Sequence, residues 1–313
     1  MINHRDRRGY SGAVYNLLYS RAPAPESTWS MMRAIHLTST ALSDDERNTR
    51  IYAGEAVLFR GFTAVHELVD LLRNRCRAYL GDAPERAHEQ MAPAALAEAA
   101  ERLRRAVLAD EAVSEAVNIA FAEVGVALDE TYGDGLKQRV QAAGEADGRR
   151  SVAPLGVHRD TWGSNVPAQT NWWAPVYPVT PERTLALFPT WFDRPVTNGS
   201  AGWDFRELLR RLREEGPEPD YPLLPLATDP PGWDEAVPIS PEPGDLLCFS
   251  GAHLHASVPN ATGRTRLSCE IRTVNARDAA AGRGAPNVDG RAVRTTWQLF
   301  KRLTDGERLG ALE

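Results

Sequence analysis

The sequence predicts a β core under helical cover, and two stretches of opposite character carry that prediction. From Ser151 to about Val274 the chain runs as short apolar segments broken by Pro, Gly, Asn and Asp, the pattern of strands and turns. Residues 92–131 are instead rich in Ala, Glu and Arg, which favours helices. No internal repeat and no linker-like segment separates the two. One domain over residues 1–313 is therefore expected: a mixed, mostly helical cover in 1–135, the core in 136–275, and a closing loop and helix in 276–313.

Taken in order, residues 1–50 are polar and without a strong period. Residues 54–62 (GEAVLFRGF) read as a buried strand ended by a turn. Thr63 opens a helix, since Val65, Leu68, Leu71 and Leu72 recur at helical spacing with Glu67 and Asp70 between them. Residues 92–131 read as two helices joined near Ala109-Asp110, with Asp110 capping the second and the charges on a solvated face. Residues 136–141 read as a strand, and a Gly-rich polar loop follows to residue 150. A helix from about Asp204 to Glu215 carries Phe205, Leu208, Leu209 and Leu212 on one stripe, and Pro217, Pro219 and Pro222 stop it. Residues 276–291 form a loop of small residues, and 292–304 are expected as a closing helix.

Bulk properties exclude several functions. With 313 residues, 42% of them hydrophobic, and eight tryptophans, a sizeable core is available. A net charge of −6 gives no electrostatic footprint for nucleic acid. Lysine occurs only at Lys137 and Lys301, a skew toward arginine that reads as genome base composition. The three cysteines, Cys76, Cys248 and Cys269, form no CxxC pair, which argues against a disulfide framework or zinc ribbon and for a reducing compartment. The N-terminal residues are polar with no apolar region after them, unlike a signal peptide. No apolar run reaches the ~20 residues that cross a bilayer. A cytoplasmic protein that acts on a small molecule, with no nucleic-acid or membrane partner, is expected; the oligomeric state stays open.

The chemistry-bearing residues are His158-Arg159-Asp160, His255 ninety-five residues on, and Arg266 eleven further. On a strand, His158 and Asp160 at i and i+2 share a face, and a third ligand must come from elsewhere. Two imidazoles and one carboxylate leave positions open on the ion, which suits non-haem Fe(II). The tripeptide alone is weak: His4-Arg5-Asp6 repeats it and has no role assigned. His158-Arg159-Asp160 with Asn165 also fits the protein-kinase pattern HRDxxxxN, but no DFG, Gly-rich loop or upstream strand lysine accompanies it.

The downstream half adds weight. Over 265–272, Thr265, Leu267, Cys269 and Ile271 alternate with Arg266, Ser268, Glu270 and Arg272. An ordinary half-buried strand has this pattern; so does a barrel strand with a polar inner face holding a charged ligand. Arginine suits a carboxylate because its planar fork makes two charge-assisted hydrogen bonds. His253 and Arg264 have the same spacing as His255 and Arg266, but Ser257, Pro259, Asn260 and Ser268 fit the second frame. Gln169, Asn171 and Trp173 alternate with Thr170 and Trp172, so one set faces inward; either the first set lines a pocket, or the tryptophans are core and the amides pair with backbone. Arg139 and Arg272 are candidates for gripping an anionic substrate, with a surface salt bridge as the other reading of each.

These pieces resemble the Fe(II)/2-oxoglutarate-dependent oxygenases, and within them the phytanoyl-CoA-dioxygenase-like branch. The matching segments are His158-Arg-Asp-Thr-Trp162, Leu185-Ala-Leu-Phe-Pro189, Pro243-Gly-Asp-Leu-Leu-Cys-Phe249, His255-Ala-Ser-Val-Pro-Asn260 and Arg266-Leu-Ser268, in the family's order across roughly residues 151–274. The resemblance implies a double-stranded β-helix (jelly-roll, cupin-like) core flanked by α-helices. It implies iron at His158, Asp160 and His255, and 2-oxoglutarate at Arg266 and Ser268, with Gln169 and Trp173 added from the strand that follows. Arg139, Asn171, Trp191 and Arg272 are then the expected substrate residues. Pro189-Thr-Trp191 stands where the family often has Gly-Ser-His after its proline, which leaves the pocket wall near Trp191 open. The implied activity uses O2 and 2-oxoglutarate to oxidise, most simply to hydroxylate, an unactivated C–H bond of an amino acid or secondary-metabolite intermediate, releasing succinate and CO2. Halogenases of the family have a small residue where Asp160 stands, so hydroxylation is favoured. A cupin-type metal-dependent isomerase or lyase, or a non-catalytic jelly-roll binding protein, would keep His158 and Asp160 without requiring Arg266 and Ser268.

Overall fold

The structure, a computed structural model, describes residues 35–143 and 149–310. His4-Arg5-Asp6 and most of the loop expected before residue 150 lie outside the described residues. The strands are β1 (Ile35–Thr38), β2 (Ala56–Phe59), β3 (Thr131–Gly133), β4 (Lys137–Gln141), β5 (Gln169–Pro175), β6 (Leu185–Leu187), β7 (Val237–Ile239), β8 (Leu246–Ser250), β9 (His255–Ser257), β10 (Arg266–Asn275) and β11 (Lys301–Arg302). The helices are α1 (Asp44–Tyr52), α2 (Thr63–Leu80), α3 (Pro93–Leu108), α4 (Glu111–Glu123), α5 (Phe205–Glu214) and α6 (Ala276–Ala280), with single turns between. An eight-stranded sheet has the order β1-β2-β8-β5-β10-β3-β11, with β4 beside β10; a three-stranded sheet has the order β7-β6-β9. All pairings are antiparallel except β1 with β2.

The alternation of side chains along the large sheet builds two cores, because a strand sends successive residues to opposite faces. Val57, Phe59, Trp172, Cys248, Leu267, Cys269 and Ile271 meet the apolar stripes of α2, α3 and α4, among them Leu68, Leu72, Leu103 and Phe121. Their sequence neighbours Leu58, Trp173, Leu247 and Phe249 face the other way, onto Leu185, Leu187, Val237 and Ile239 of the small sheet. The result is three layers: helices, large sheet, small sheet. Trp172 is the largest anchor on the helix side. Phe121 lies 4.7 Å away and Phe59 6.0 Å, Arg47 caps the ring at 5.1 Å, and the indole N–H donates to Thr273 Oγ1 at 2.9 Å.

Local chemistry sets the helix ends. Asp110 caps α4, its side chain accepting from the Ala112 amide at 3.0 Å, and α3 stops at Leu108 just before it. Asp204 does the same for α5. Gly244 turns the chain into β8 at φ +106, where a Cβ would sit 2.1 Å from the His66 ring, so no other residue fits that turn.

Three expectations need correction. Helix and sheet share the chain, so the fold is a mixed sheet-and-helix architecture rather than mainly β. The closing helix at 292–304 is absent: Trp297–Leu299 is a single 3-10 turn leading into β11. That segment has no apolar helical face, Val293 being 90% exposed, while Phe300 plugs a cluster with Tyr132, Val166 and Val274. The expected loop at 276–291 begins with α6, capped by Asn275 through the Asp278 amide.

Candidate metal centre

The large and small sheets position the site at their facing surfaces. His158 precedes a helical turn (Thr161–Ser164) and bridges the first residue of β9: His158 and His255 exchange two backbone hydrogen bonds, each 2.9 Å, and their rings lie 4.1 Å apart. Asp160 is not on a strand. It has helical dihedrals (φ −63, ψ −31), and its carbonyl accepts from Ser164 in the turn that follows. The expected i, i+2 strand geometry is therefore replaced by a bridge and a turn, which converge all the same. Ligand-capable atoms of His158, Asp160 and His255 lie within 4.8 Å of one another.

Hydrogen bonds behind the group fix its donor atoms. His158 Nδ1 lies 2.7 Å from the Gly156 carbonyl and His255 Nδ1 2.9 Å from the His253 carbonyl. A carbonyl only accepts, so each Nδ1 carries the proton and each Nε2 keeps a lone pair toward the site, the arrangement metal-binding imidazoles use. Asp160 Oδ1 lies 3.6 Å from His158 Nε2, while Asp160 Oδ2 accepts from Asn171 Nδ2 at 2.6 Å and Gln169 Nε2 at 3.3 Å. Burial pushes the Asp160 carboxyl up, but the His158 contact, the facing His255 ring and the Arg272 guanidinium outweigh it and hold the group well below the usual carboxylate range. Burial, then the neighbouring His158, push His255 down to about 3, so its imidazole is neutral and able to ligate.

His253 is not part of the group. Its ring nitrogens lie 3.1 Å from the Gly54 carbonyl and 3.2 Å from the Ser250 carbonyl, and Phe192 and Phe249 enclose it.

A cavity of about 200 Å³ runs from this group between the sheets. Arg266 lies at its wall, 4% exposed, donating to the Thr184 carbonyl at 3.0 Å and Ser257 Oγ at 3.2 Å. Among the described residues its Nε has no hydrogen-bond partner and no carboxylate forms an ion pair with it. Burial, and then Arg139, push its affinity for the proton down by more than the charge of Glu270 restores it. Ser268 is fully buried on the same face of β10 with its hydroxyl unpartnered, though it does not itself line the cavity.

The other expected residues separate. Arg139, Asn171, Trp173 and Arg272 line the cavity. Arg272 is also tied to Asp134 at 2.6 Å, and Arg139 lies 3.9 Å from Glu270. Gln169 is enclosed, its amide held between Asp160 and Asn171, so it touches the group rather than the cavity. Trp191 does not line the cavity: its indole donates to Glu235 at 2.8 Å and Arg194 covers its ring. Leu155, Leu223 and Leu224 line the cavity. Sequence reading missed these three, and the only signal for the last two is a pair of leucines in a proline-rich stretch that has no period.

No family model matches the chain, and no curated protein sequence matches it. Several solved structures are similar. EvdO2 from Micromonospora carbonacea var. aurantiaca, complexed with 2-oxoglutarate, is 14% identical at a TM-score of 0.44, covering 76% of this chain and 94% of its own. The non-haem α-ketoglutarate-dependent carbocyclase SnoK from nogalamycin biosynthesis is 16% identical at 0.40, covering 84% and 97%. EctD from S. alaskensis in its apoform is 15% identical at 0.38, covering 88% and 91%. Among the described residues, no helix is long and apolar enough to cross a membrane.

Proposed function

We propose that the protein is a non-haem Fe(II)- and 2-oxoglutarate-dependent dioxygenase that hydroxylates an unactivated C–H bond of a small molecule, an amino acid or a secondary-metabolite intermediate. The observation that carries this reading is one cavity with a three-ligand group at one place on its wall and, at another, a buried Arg266 that has no ion-pair partner among the described residues.

The residues fit both absent groups. His158 Nε2, His255 Nε2 and Asp160 Oδ1 would give Fe(II) two imidazoles and one carboxylate, and three protein ligands leave open positions. Arg266, which lines the cavity and has an unpartnered Nε, offers donors to the far carboxylate of 2-oxoglutarate; the Ser268 hydroxyl, unpartnered on the same strand face, lies behind the cavity wall. A lone buried guanidinium is costly, and a bound dianion offsets that cost. Iron, when bound, supplies the activation of dioxygen that no side chain provides.

The chain's own residues bind, orient and exclude water. Asn171 and Gln169 pin Asp160 Oδ2, which leaves Oδ1 as the oxygen that would ligate an ion. Phe249 packs on the His255 ring at 5.2 Å, and Trp173 and Leu185 make that part of the cavity apolar. Leu155, Leu223 and Leu224 form an apolar wall for the substrate, while Arg139 and Arg272 offer cations to an acidic one. The jelly-roll reading of the core belongs with this proposal: two facing sheets hold the site between them, as a double-stranded β-helix does. Overall, RH, O2 and 2-oxoglutarate give ROH, succinate and CO2.

The test loads the protein anaerobically with Fe(II), adds 2-oxoglutarate and O2 with a panel of small acids and amino acids, and measures succinate. Succinate formation that depends on Fe(II) is expected. An absence of both turnover and 2-oxoglutarate binding sinks the proposal. Arg266→Ala is expected to weaken 2-oxoglutarate binding by at least tenfold, as loss of a charge-assisted pair does; normal binding by that variant sinks the role given to Arg266.

A further inference from the structure

Arg159 sits between two of the candidate ligands, yet its side chain points away from the cavity. It is 1% exposed and spends all five N–H groups. Nε donates to Asp289 Oδ2 at 3.2 Å; Nη1 donates to the carbonyls of Phe192 (3.2 Å) and Ala252; Nη2 donates to those of Trp191 (2.6 Å) and Arg194 (2.9 Å). One side chain thus ties the turn that carries His158 and Asp160 to three other segments, at residues 191–194, 252 and 289. Ala252 is just upstream of His255, so the tie spans both halves of the metal group.

Four of those five acceptors are neutral carbonyls, and the carboxylate is Asp289. Asp289 also accepts from Trp162 Nε1 at 2.6 Å and from the Val196 amide at 2.9 Å. Trp162, fully buried, belongs to the helical turn immediately after Asp160. Asp289 therefore grips that turn twice, through Arg159 before it and Trp162 within it.

The segment that brings Asp289 in is laid against the same turn along its length. The Ala285 amide donates to Pro167 O at 3.0 Å and the Thr296 amide to Ser164 O at 3.0 Å. Gly284 passes so close that a Cβ there would lie 2.5 Å from the Pro167 carbonyl carbon. The Arg291 amide donates to Ser200 Oγ at 2.9 Å, a tie that touches neither Arg159 nor Trp162.

The geometry points to Asp289 as a positioning residue for the metal group: it holds Arg159 and Trp162 so that Asp160 and His158 present Oδ1 and Nε2 to the ion. This rests on the metal-site reading above. Asp289 touches neither metal nor substrate; its effect reaches the ion through the two residues flanking Asp160.

The test measures Co(II) binding to the apoprotein by calorimetry, in wild type, Asp289→Ala, Asp289→Asn and Ser200→Ala, each with its thermal midpoint. Groups behind metal ligands typically account for about 10–100-fold in affinity. Asp289→Ala is expected to weaken Co(II) about a hundredfold. Asp289→Asn keeps the shape but leaves one acceptor oxygen and no charge for three donors, and is expected to weaken it about tenfold. Ser200→Ala removes a different tie of the segment, the one from Arg291, and is expected to lower the thermal midpoint while leaving Co(II) affinity within twofold of wild type. If Asp289→Ala does not fold, Asp289→Asn decides. Co(II) affinity within twofold of wild type in folded Asp289→Asn overturns the inference, as does an equal loss in Ser200→Ala. Failure of wild type to bind Co(II) at all would instead overturn the metal-site reading.

Discussion

Asp160 Oδ2 is held by Asn171 at 2.6 Å and by Gln169 at 3.3 Å, while Oδ1 lies beside the His158 ring. Removing Asn171 frees the carboxylate to rotate, which costs orientation rather than a ligand. Asn171→Ala is expected to weaken Co(II) or Fe(II) binding about tenfold or more, read by calorimetry on the apoprotein; unchanged affinity would refute the role given to the amide. The two neighbouring histidines make a sharper contrast. His255→Ala is expected to abolish tight metal binding, and His253→Ala to leave it within a few-fold, because the His253 ring nitrogens face the Gly54 and Ser250 carbonyls and not the other candidate ligands. His158, Asp160 and Arg266 are legible in the sequence because each is a chemically unusual residue within a spaced motif. Gln169 and Asn171 are legible only as an inward-facing pair; that they grip Asp160 depends on how the turn at 161–164 folds back over β5. Asp289 carries no signal at all, since a lone aspartate among small residues reads as solvated loop until its three donors are seen.

At the scale of elements, what the sequence shows is what local physics decides. The α3–α4 boundary follows from Asp110 as a cap, and the buried strand β2 from an unbroken apolar run ahead of a glycine turn. The small sheet is not legible, because β6, β7 and β9 are three residues each, too short for a period-2 pattern to emerge. The wall built by Leu223 and Leu224 is likewise set by where the proline-rich segment is pinned, through Trp203 Nε1 to Pro222 O at 2.8 Å and the Ala227 amide to Val157 O at 2.8 Å. The joint between helices and large sheet rests most heavily on Trp172. Its neighbours α4 and β2 cannot close the space that an alanine would leave, since they are held to the rest of the same cluster. Trp172→Ala is expected to cost about 3–5 kcal/mol of unfolding free energy, measured by urea titration with the m-value checked for two-state behaviour. A loss under about 1 kcal/mol would mean that the helix layer repacks freely, which close-packed interiors rarely allow.

Across the whole molecule, the helix–sheet interface carries a titratable label. Cys76 from α2, Cys248 from β8 and Cys269 from β10 are all unpaired and all buried in the one cluster that joins helices to the large sheet. Burial pushes each thiol up to about 12, against about 8.5 for cysteine in an unfolded chain. In the window from about 8.5 to 12 the unfolded chain therefore sheds three protons that the folded one keeps, and the folded state loses stability as pH rises. The stabilisation is fully present below about pH 8.5, and each thiol contributes a slope of roughly 1 kcal/mol per pH unit above it. Two measurements check this. At pH 8 in native buffer, a disulfide reagent is expected to label none of the three thiols within minutes, and all three after guanidinium unfolding. The urea midpoint is expected to stay flat from pH 7 to 8 and then fall steadily toward pH 10, with Cys248→Ala showing a shallower fall than wild type. A thiol that reacts in the native state while the midpoint stays constant would place that cysteine at an open seam. The helices would then be a loosely docked cover rather than one wall of the core on which the candidate metal group is built.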